Sequence, residues 1–500
     1  MTVFTMFDIR VSGVLLPVFS LPGENGIGTF GKSAYDFVDF LRDSGQRYWQ
    51  ILPLCPTGYG NSPYQSICSF AGNPFFLDSI LLCRDGFLSS RFAEERTKNS
   101  GRVNYDYLEK SQRAFCEDIY NCSLNNLPDD YELFCSKNAF WLDDYCLFFA
   151  LREYFGGKPF YEWYTGLKMH QPEALSLFSE RLEKEINTQK IIQYHFYSQW
   201  SRLKKYANDN GVFIIGDVPI YVSADSSDIW AHSDEFDLLP NRVPREIAGC
   251  PPDYFSPDGQ LWGNPVYDWN TQRDNNYKWW KSRFAHNFSL YDGVRIDHFR
   301  GFESYYCIKY GSKNAKHGVW RKGPGKIFFD EIKKDFPTDR IIAENLGFLT
   351  PAVDDLLEYC GFPGMKVLQF AFDSGEDNLL YNPRSYPKNS VVYTGTHDND
   401  TIIGWADHAP KEDVALAMNT LDAEDNDALA ENMMMSAMNS ESDTCILTMQ
   451  DLLHLGSEAR INTPSTVGNN WQWRLKSNQI NSSLSHHLLD MTRLSGRAIL

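Results

Sequence analysis

The sequence predicts an α/β protein of the (β/α)8, or TIM-barrel, class, enlarged by helical and loop insertions. Two observations predict it. Eight short apolar, β-branched or aromatic runs recur along the chain, several flanked by helical periodicity. Five successive runs carry a carboxylate at or just beyond their C-terminal ends, and in a barrel those ends converge on one face. A chain of 500 residues can form one such barrel with insertions, so residues 1–500 are read as a single catalytic unit.

The first predicted strand is Gly13–Phe19. Residues 29–44 follow with Ala34, Phe37, Val38 and Leu41 on one helical face, and Gly45 is placed to stop that helix. Tyr48–Leu54 is the second strand. Residues 68–190 show helix-like segments without strand alternation and read as a helical insertion. Ile192, Phe196, Trp200, Leu203 and Ala207 form a helical stripe ending at Gly211, and Val212–Asp217 is the third strand. Residues 219–278, rich in Pro, Asp, Gly and Trp, read as a second insertion, a large ordered loop region beside the cleft. Gly293–His298 and Arg340–Asn345 are strands four and five. Thr350-Pro351 opens a helix that turns Val353, Leu356, Leu357 and Cys360 inward and ends at Gly361. Met365–Phe372, Val391–Thr396 and Cys445–Met449 complete the eight.

Hydrophobic residues make up 43% and charged residues 22%, the balance of a globular chain with a large core. Lys+Arg against Asp+Glu leaves a formal charge of −18, which suits solubility and argues against nucleic acid, whose phosphates need clustered cations. The 11 cysteines are scattered, without a C-x-x-C pair, and no basic-then-apolar leader opens the chain. No apolar run approaches the ~20 residues of a membrane span. A cytoplasmic protein with reduced thiols is expected.

The strand-end carboxylates carry the chemistry. Asp217 ends strand three, Asp297 strand four and Glu344 strand five; Asp373 follows strand six and Asp398 strand seven. One such Asp has an ordinary explanation as a helix cap. Five at corresponding ends do not. Cleaving a glycosidic bond needs a carboxylate that attacks or stabilises the sugar carbon and a protonated one that donates to the leaving oxygen. Arg295 lies two residues before Asp297, on the same side of a strand, where its charge favours an ionised neighbour. His397, beside Asp398, is able to donate to a sugar hydroxyl.

Eight segments extend this reading. They are Gly58-Tyr-Gly-Asn-Ser-Pro-Tyr64, Gly216-Asp-Val-Pro-Ile-Tyr221, Pro251-Pro-Asp-Tyr-Phe255, Trp262-Gly-Asn-Pro265, Val294-Arg-Ile-Asp-His-Phe-Arg300, Ala343-Glu-Asn-Leu-Gly347, Thr394-Gly-Thr-His-Asp-Asn399 and Asn470-Trp-Gln-Trp-Arg474. In these segments the chain resembles the amylomaltase, or 4-α-glucanotransferase (disproportionating enzyme), family, glycoside hydrolase family 77, an outlying branch of the α-amylase-like barrels. They span nearly the whole chain in the family's order.

The resemblance implies Asp297 as nucleophile, Glu344 as general acid/base and Asp398 as stabiliser of the transition state, with His397 and Arg295 holding sugar hydroxyls. It further implies substrate contacts for Asp217, Asp373, Tyr59, Ser62, Trp262 and Asn462. Tyr254 and Phe255 are implied to sit on a loop overhanging the cleft, as acceptor platform and water shield. The implied substrates are malto-oligosaccharides and α-1,4-glucans, with no cofactor and no metal. One departure is visible: the family's Asn-Thr-Pro-Gly appears as Asn462-Thr-Pro-Ser465, at a position where a left-handed backbone favours glycine.

Transfer and hydrolysis share the first half of this chemistry and differ in whether a glucan hydroxyl or water attacks the intermediate. An α-1,4-glucan hydrolase with the same residues is therefore one alternative, and a catalytically silent glycan-binding protein another. Gly26-Ile-Gly-Thr-Phe-Gly31 matches G-x-G-x-x-G, but the run that follows ends in Leu-Cys-Pro, without the acidic residue a dinucleotide site needs. It reads as a tight strand-to-helix connection.

Overall fold

The computed structural model describes residues 6–498 apart from 8, 24, 93–100, 125, 253–255 and 373–382. Its strands, among the described residues, are β1 (Val11–Leu15), β2 (Tyr48–Gln50), β3 (Phe213–Val218), β4 (Glu246–Cys250), β5 (Gln260–Pro265), β6 (Gly293–Ile296), β7 (Ser304–Lys309), β8 (Val319–Lys322), β9 (Ile341–Ala343), β10 (Gly364–Val367), β11 (Ser390–Tyr393) and β12 (Thr444–Thr448). Eight of them close a parallel barrel in the order β1-β12-β11-β10-β9-β6-β3-β2. These strands fall on the eight runs predicted from sequence; seven end earlier than predicted, and β3 instead runs one residue further, to Val218.

The barrel interior is packed with side chains. Leu15, Tyr48, Ile215, Ile342, Met365 and Tyr393 belong to one buried cluster, with Phe7 packed on Tyr48. Layers of this kind fill a barrel of eight strands and leave no channel. The outer layer is the larger core, where helices bury their apolar faces on the strands. Helix Lys32–Asp43 buries Ala34, Phe37, Val38 and Leu41, the predicted stripe, and Gly45 beyond it is left-handed at φ +72°. Helix Glu183–Asp209 buries Ile192, Phe196, Trp200, Leu203 and Ala207.

The Gly26–Gly31 turn is a steric device. A Cβ on Gly28 would fall 1.9 Å from the Val18 carbonyl oxygen, and one on Gly31 2.0 Å from the Asp78 carboxylate. Only glycine allows strand, turn and helix this close. Between β2 and β3 the chain forms helices that include Tyr105–Ser123, Tyr131–Tyr154 and Glu183–Asp209.

Residues 219–278 differ from the loop reading, because they supply β4 and β5. With β7 and β8 these form a second, four-stranded antiparallel sheet in the order β5-β4-β7-β8. The strand pattern was weak because β4 (EIAGC) and β5 (QLWGNP) are poor in β-branched residues. Gly249 is required there, since its Cβ would stand 2.1 Å from the Gln260 carbonyl oxygen. Pairing, not propensity, makes these strands. Among the described residues no helix is long and apolar enough to cross a membrane.

On the outer surface, helix Asn426–Met438 is joined to helix Ser482–Leu494 and to the segment after β12 by two imidazoles. His454 Nδ1 lies 3.0 Å from Asp427 Oδ1 and its Nε2 3.7 Å from Glu431 Oε2, which His487 Nε2 also approaches at 3.2 Å. The carboxylate of Glu431 first, opposed by burial, and then the hydrogen bond with Asp427 raise the His454 pKa above 6.5. A raised histidine pKa contributes stability that is fully present below ~6.5 and lost as pH rises through the folded value. His454→Asn, which tolerates the left-handed backbone at φ +49°, is therefore expected to cost about 0.5 kcal/mol at pH 6 and nothing at pH 9. Melting curves at the two pH values check this, and an equal loss at both would discard the electrostatic account.

Candidate active site

Four barrel strands deliver the carboxylates to one place. Asp217 lies in β3 directly beside Arg295 of β6 in the parallel register, and Arg295 in turn pairs with Ile342 of β9. Asp297 and Glu344 each follow the last residue of their strand, β6 and β9. Asp398 stands five residues past β11, in the Thr394–Asp400 turn. Gly216 lets β3 run against helix Lys278–Leu290 and the residue after it, because a Cβ would meet the Tyr291 ring at 2.2 Å.

Arg295 is the hub. Its Nη1 donates to both carboxylate oxygens of Asp217, at 2.9 and 2.7 Å, while Nη2 stands 3.0 Å from Asp297 Oδ1. Nε points at the Met365 sulfur, 3.4 Å away. Arg295 is buried and the Asp217 side chain fully so, hence both ions exist only as a pair. The Tyr64 hydroxyl adds a third hydrogen bond to Asp217, at 2.7 Å.

Glu344 is held differently. Its Oε2 accepts the His298 N–H at 2.8 Å and its Oε1 the Leu346 N–H at 2.6 Å, while its backbone oxygen accepts the Phe299 N–H at 3.0 Å. Aiming the His298 N–H this way puts that residue at φ +50°, left-handed backbone that costs a non-glycine residue of order 1–2 kcal/mol. The residue next to Asp297 is thus a direct donor to Glu344.

Electrostatics follow from this geometry. Burial first, then the neighbouring charges of Asp217, Glu344 and Asp398, raise the Asp297 carboxyl, and Arg295 opposes them. Burial raises Glu344 as well; Arg295 and the two backbone donors oppose it. Three acids around one cation leave an excess of negative charge, so Asp297 and Glu344 titrate as a pair that retains a proton above the usual carboxylate range. Burial lowers His397, and pushes His298 down to about 3, so both imidazoles are neutral at pH 7.

On the other wall, Asp398 Oδ1 accepts from Asn462 Nδ2 at 2.7 Å and its backbone oxygen from Arg460 at 2.6 Å. His397 Nε2 lies 3.4 Å from Asp398 Oδ1, and its ring stacks on Tyr64 at 5.1 Å and 17°. Trp262, on β5, meets the His298 ring edge-on at 4.8 Å.

The structure therefore brings together Asp217, Arg295, Asp297, Glu344, His397, Asp398, Asn462 and Trp262. Ser62 accepts the Tyr64 N–H at 3.2 Å and so shapes the turn that presents Tyr64, while Tyr59 on the same turn stands 78% exposed at the rim. Asp373, Tyr254 and Phe255 lie outside the described residues. Tyr64, His298, Arg460 and Trp471 belong to the site but were not singled out from sequence. Tyr64, His298 and Trp471 fall inside the quoted motifs, so the signal was present; Arg460 follows no motif.

The sequence profile of the 4-alpha-glucanotransferase family, glycoside hydrolase family 77, matches residues 16–480. The chain belongs to this family. It is 45% identical over 505 residues to a 4-alpha-glucanotransferase of Streptococcus pneumoniae strain TIGR4, covering 98% of this chain and 97% of that one. It is 43% identical over 485 residues to one of Clostridium butyricum, covering 96% and 99%. The fold superposes with a TM-score of 0.95 on an amylomaltase of Streptococcus agalactiae in complex with acarbose, at 39% identity, covering 98% and 100%.

Against the family pattern, Ser465 takes the left-handed backbone itself, at φ +63°, in the place of the usual glycine. Ser465 itself bears the strain of this turn. Ser465→Gly is expected to stabilise the protein by at most about 1 kcal/mol, relief of strain being partly offset by a more flexible unfolded chain. Thermal unfolding of the pair tests this, and a destabilised glycine variant would contradict it.

A second expectation concerns pH. Because the coupled Asp297–Glu344 pair retains a proton in the fold, ionising both carboxyls is penalised; the penalty is absent below the unfolded values of ~4 and full once the pair has lost that proton. Asp297→Asn removes the penalty while Arg295 keeps Asp217. Its melting temperature is expected to exceed the parent's by about 1–3 °C at pH 8, a gain that fades towards pH 4. A gain independent of pH would point to another cause.

Proposed function

We propose that this chain is a 4-alpha-glucanotransferase that moves a segment of an α-1,4-glucan to the 4-hydroxyl of an acceptor glucan or glucose by double displacement. The observation that carries the reading is the asymmetric hold on two neighbouring carboxylates. Asp297 takes its support from the Arg295 cation, which favours an ionised nucleophile, and Glu344 takes its support from neutral backbone N–H groups. The proton retained by the coupled pair then belongs on Glu344.

In the first step Glu344 donates that proton to the glycosidic oxygen. The leaving chain departs as Asp297 bonds to the sugar carbon. In the second step Glu344, now a carboxylate, takes the proton from the acceptor 4-hydroxyl, which attacks the same carbon and frees Asp297 with net retention. Asp398, held by Asn462 and Arg460, presents a fixed negative charge where positive charge grows on the sugar ring. Neutral His397 and the Arg295–Asp217 pair line the position of that ring, and Trp262 offers an apolar face beside it. Tyr254, Phe255 and Asp373 enter as further sugar contacts, and Tyr59 as one on the rim. Malto-oligosaccharides are the proposed substrates. A cytoplasmic setting is part of the proposal, supported by eleven cysteines that are all free thiols.

The test incubates pure protein with maltotriose, sizes the products and counts reducing ends, beside an Asp297→Asn control. Glucose and longer chains at a constant number of reducing ends are expected, with the control slowed at least about a thousandfold. Rising reducing ends would identify a hydrolase. No change in either sample would identify a silent glycan-binding protein.

A further inference from the structure

The wall behind His397 is built from the segment that closes the barrel on its C-terminal side. Trp471 is buried there with its backbone at φ +63°, a conformation a tryptophan holds only when its surroundings impose it. Its indole ring lies 6.0 Å from His397 and 5.9 Å from Tyr64, the two rings that stack on each other beside Asp217 and Asp398. The Trp471 backbone N–H donates to the Ile461 carbonyl at 2.7 Å, one residue before Asn462, whose side chain holds Asp398. Asn462 also donates its own N–H to the His397 carbonyl, at 3.1 Å. Trp471 is therefore wedged between the two groups that fix His397 and Asp398.

What imposes the wedge comes from far away in sequence. The Tyr105 hydroxyl, at the start of helix Tyr105–Ser123, donates to the Trp471 carbonyl at 2.9 Å. The Val103 N–H donates to the next carbonyl, Gln472, at 2.8 Å. Arg102 reaches the Glu458 carbonyl at 2.9 Å, and Arg474 returns a bond to the Gly101 carbonyl at 3.0 Å. Residues 101–105 thus run as a strut along 458–474, bonded on both sides of Trp471. Burial raises the Tyr105 phenol, so the hydroxyl remains a donor across the working pH range.

We propose that Tyr105 and Trp471 are positioning residues of the transfer reaction: the strut from the helical segment holds Trp471 in its left-handed turn, and Trp471 sets His397 and Asp398 against the sugar ring. This rests on the function proposed above. A group placed through such a chain acts on the transition state more than on substrate capture, because small misplacement weakens the stabilisation of charge without emptying the cleft.

The experiment is steady-state kinetics of maltotriose disproportionation with the wild-type protein, Tyr105→Phe, Asn462→Ala and the double variant, with melting temperatures measured alongside. Tyr105→Phe keeps the ring and its burial and removes one hydrogen bond. Its kcat is expected to fall about tenfold with KM within about twofold. Because Tyr105 and Asn462 act through one loop, the double variant is expected to lose less than the product of the two single losses. Trp471→Phe leaves the Tyr105 bond in place and shrinks the ring against His397. It should show the same kcat-only pattern, and carries the test if Tyr105→Phe does not fold. Parental kinetics in both folded variants, a loss confined to KM, or losses that multiply would each overturn the proposal. A wild-type protein that makes no longer chains would overturn the functional reading, and this inference with it.

Discussion

The buried guanidinium of Arg295 is the interaction on which the rest of the site depends. It stands between a carboxylate without solvent contact, Asp217, and one open to the cleft, Asp297. Remove the cation and two acids face each other, with a third, Glu344, close by, in a space too dry to ionise them all. The barrel makes this hub cheap to build. Parallel register puts Asp217 beside Arg295, and alternation along β6 puts Arg295 on the same side as Asp297. The rigidity of a closed sheet then holds three charges at hydrogen-bonding distance without flexible side chains having to find each other.

The second carboxylate shows the complementary solution. Glu344 receives no direct cation, but two backbone N–H groups, one of them supplied by the residue after Asp297 at the cost of a left-handed turn. Dipoles of fixed direction support a carboxylate less strongly than a full charge does. One acid is thus biased towards ionisation while its neighbour stays able to carry a proton, and the bias is written into which partner each has. Swapping those partners would remove the division of labour even if both carboxylates remained.

Much of this was legible in the sequence. Strands that become barrel staves are short and apolar, so hydrophobic runs found all eight, and the strand-end carboxylates followed from position alone. The second sheet was not legible, because β4 and β5 hold glycine, asparagine and proline and exist through pairing across long separations. Nor did the sequence mark Arg460 or the hydrogen-bonding role of Tyr64. A side chain that acts by touching a carboxylate brought from another strand leaves no local pattern. Ser465 is an instructive middle case. The expectation of a left-handed backbone was right, and the chain meets it with a residue that dislikes it.

Three of the non-glycine residues with left-handed backbone border the active site. His298 lies between Asp297 and the N–H that holds Glu344, and Trp471 lies behind His397, while Ser465 bends the loop between Asn462 and Trp471. At His298 and Trp471 the unfavourable φ is enforced by neighbours that would have to be rebuilt to relieve it: the end of β9 against His298, and residues 101–105 against Trp471. Strain maintained by packing from a distant part of the chain resists relaxation better than strain balanced locally, because relief would require separating whole elements. On this argument the helices between β2 and β3 do more than cover the barrel. They supply the outer half of a vice whose inner jaw is the closed sheet, and the groups that must not move lie between the two.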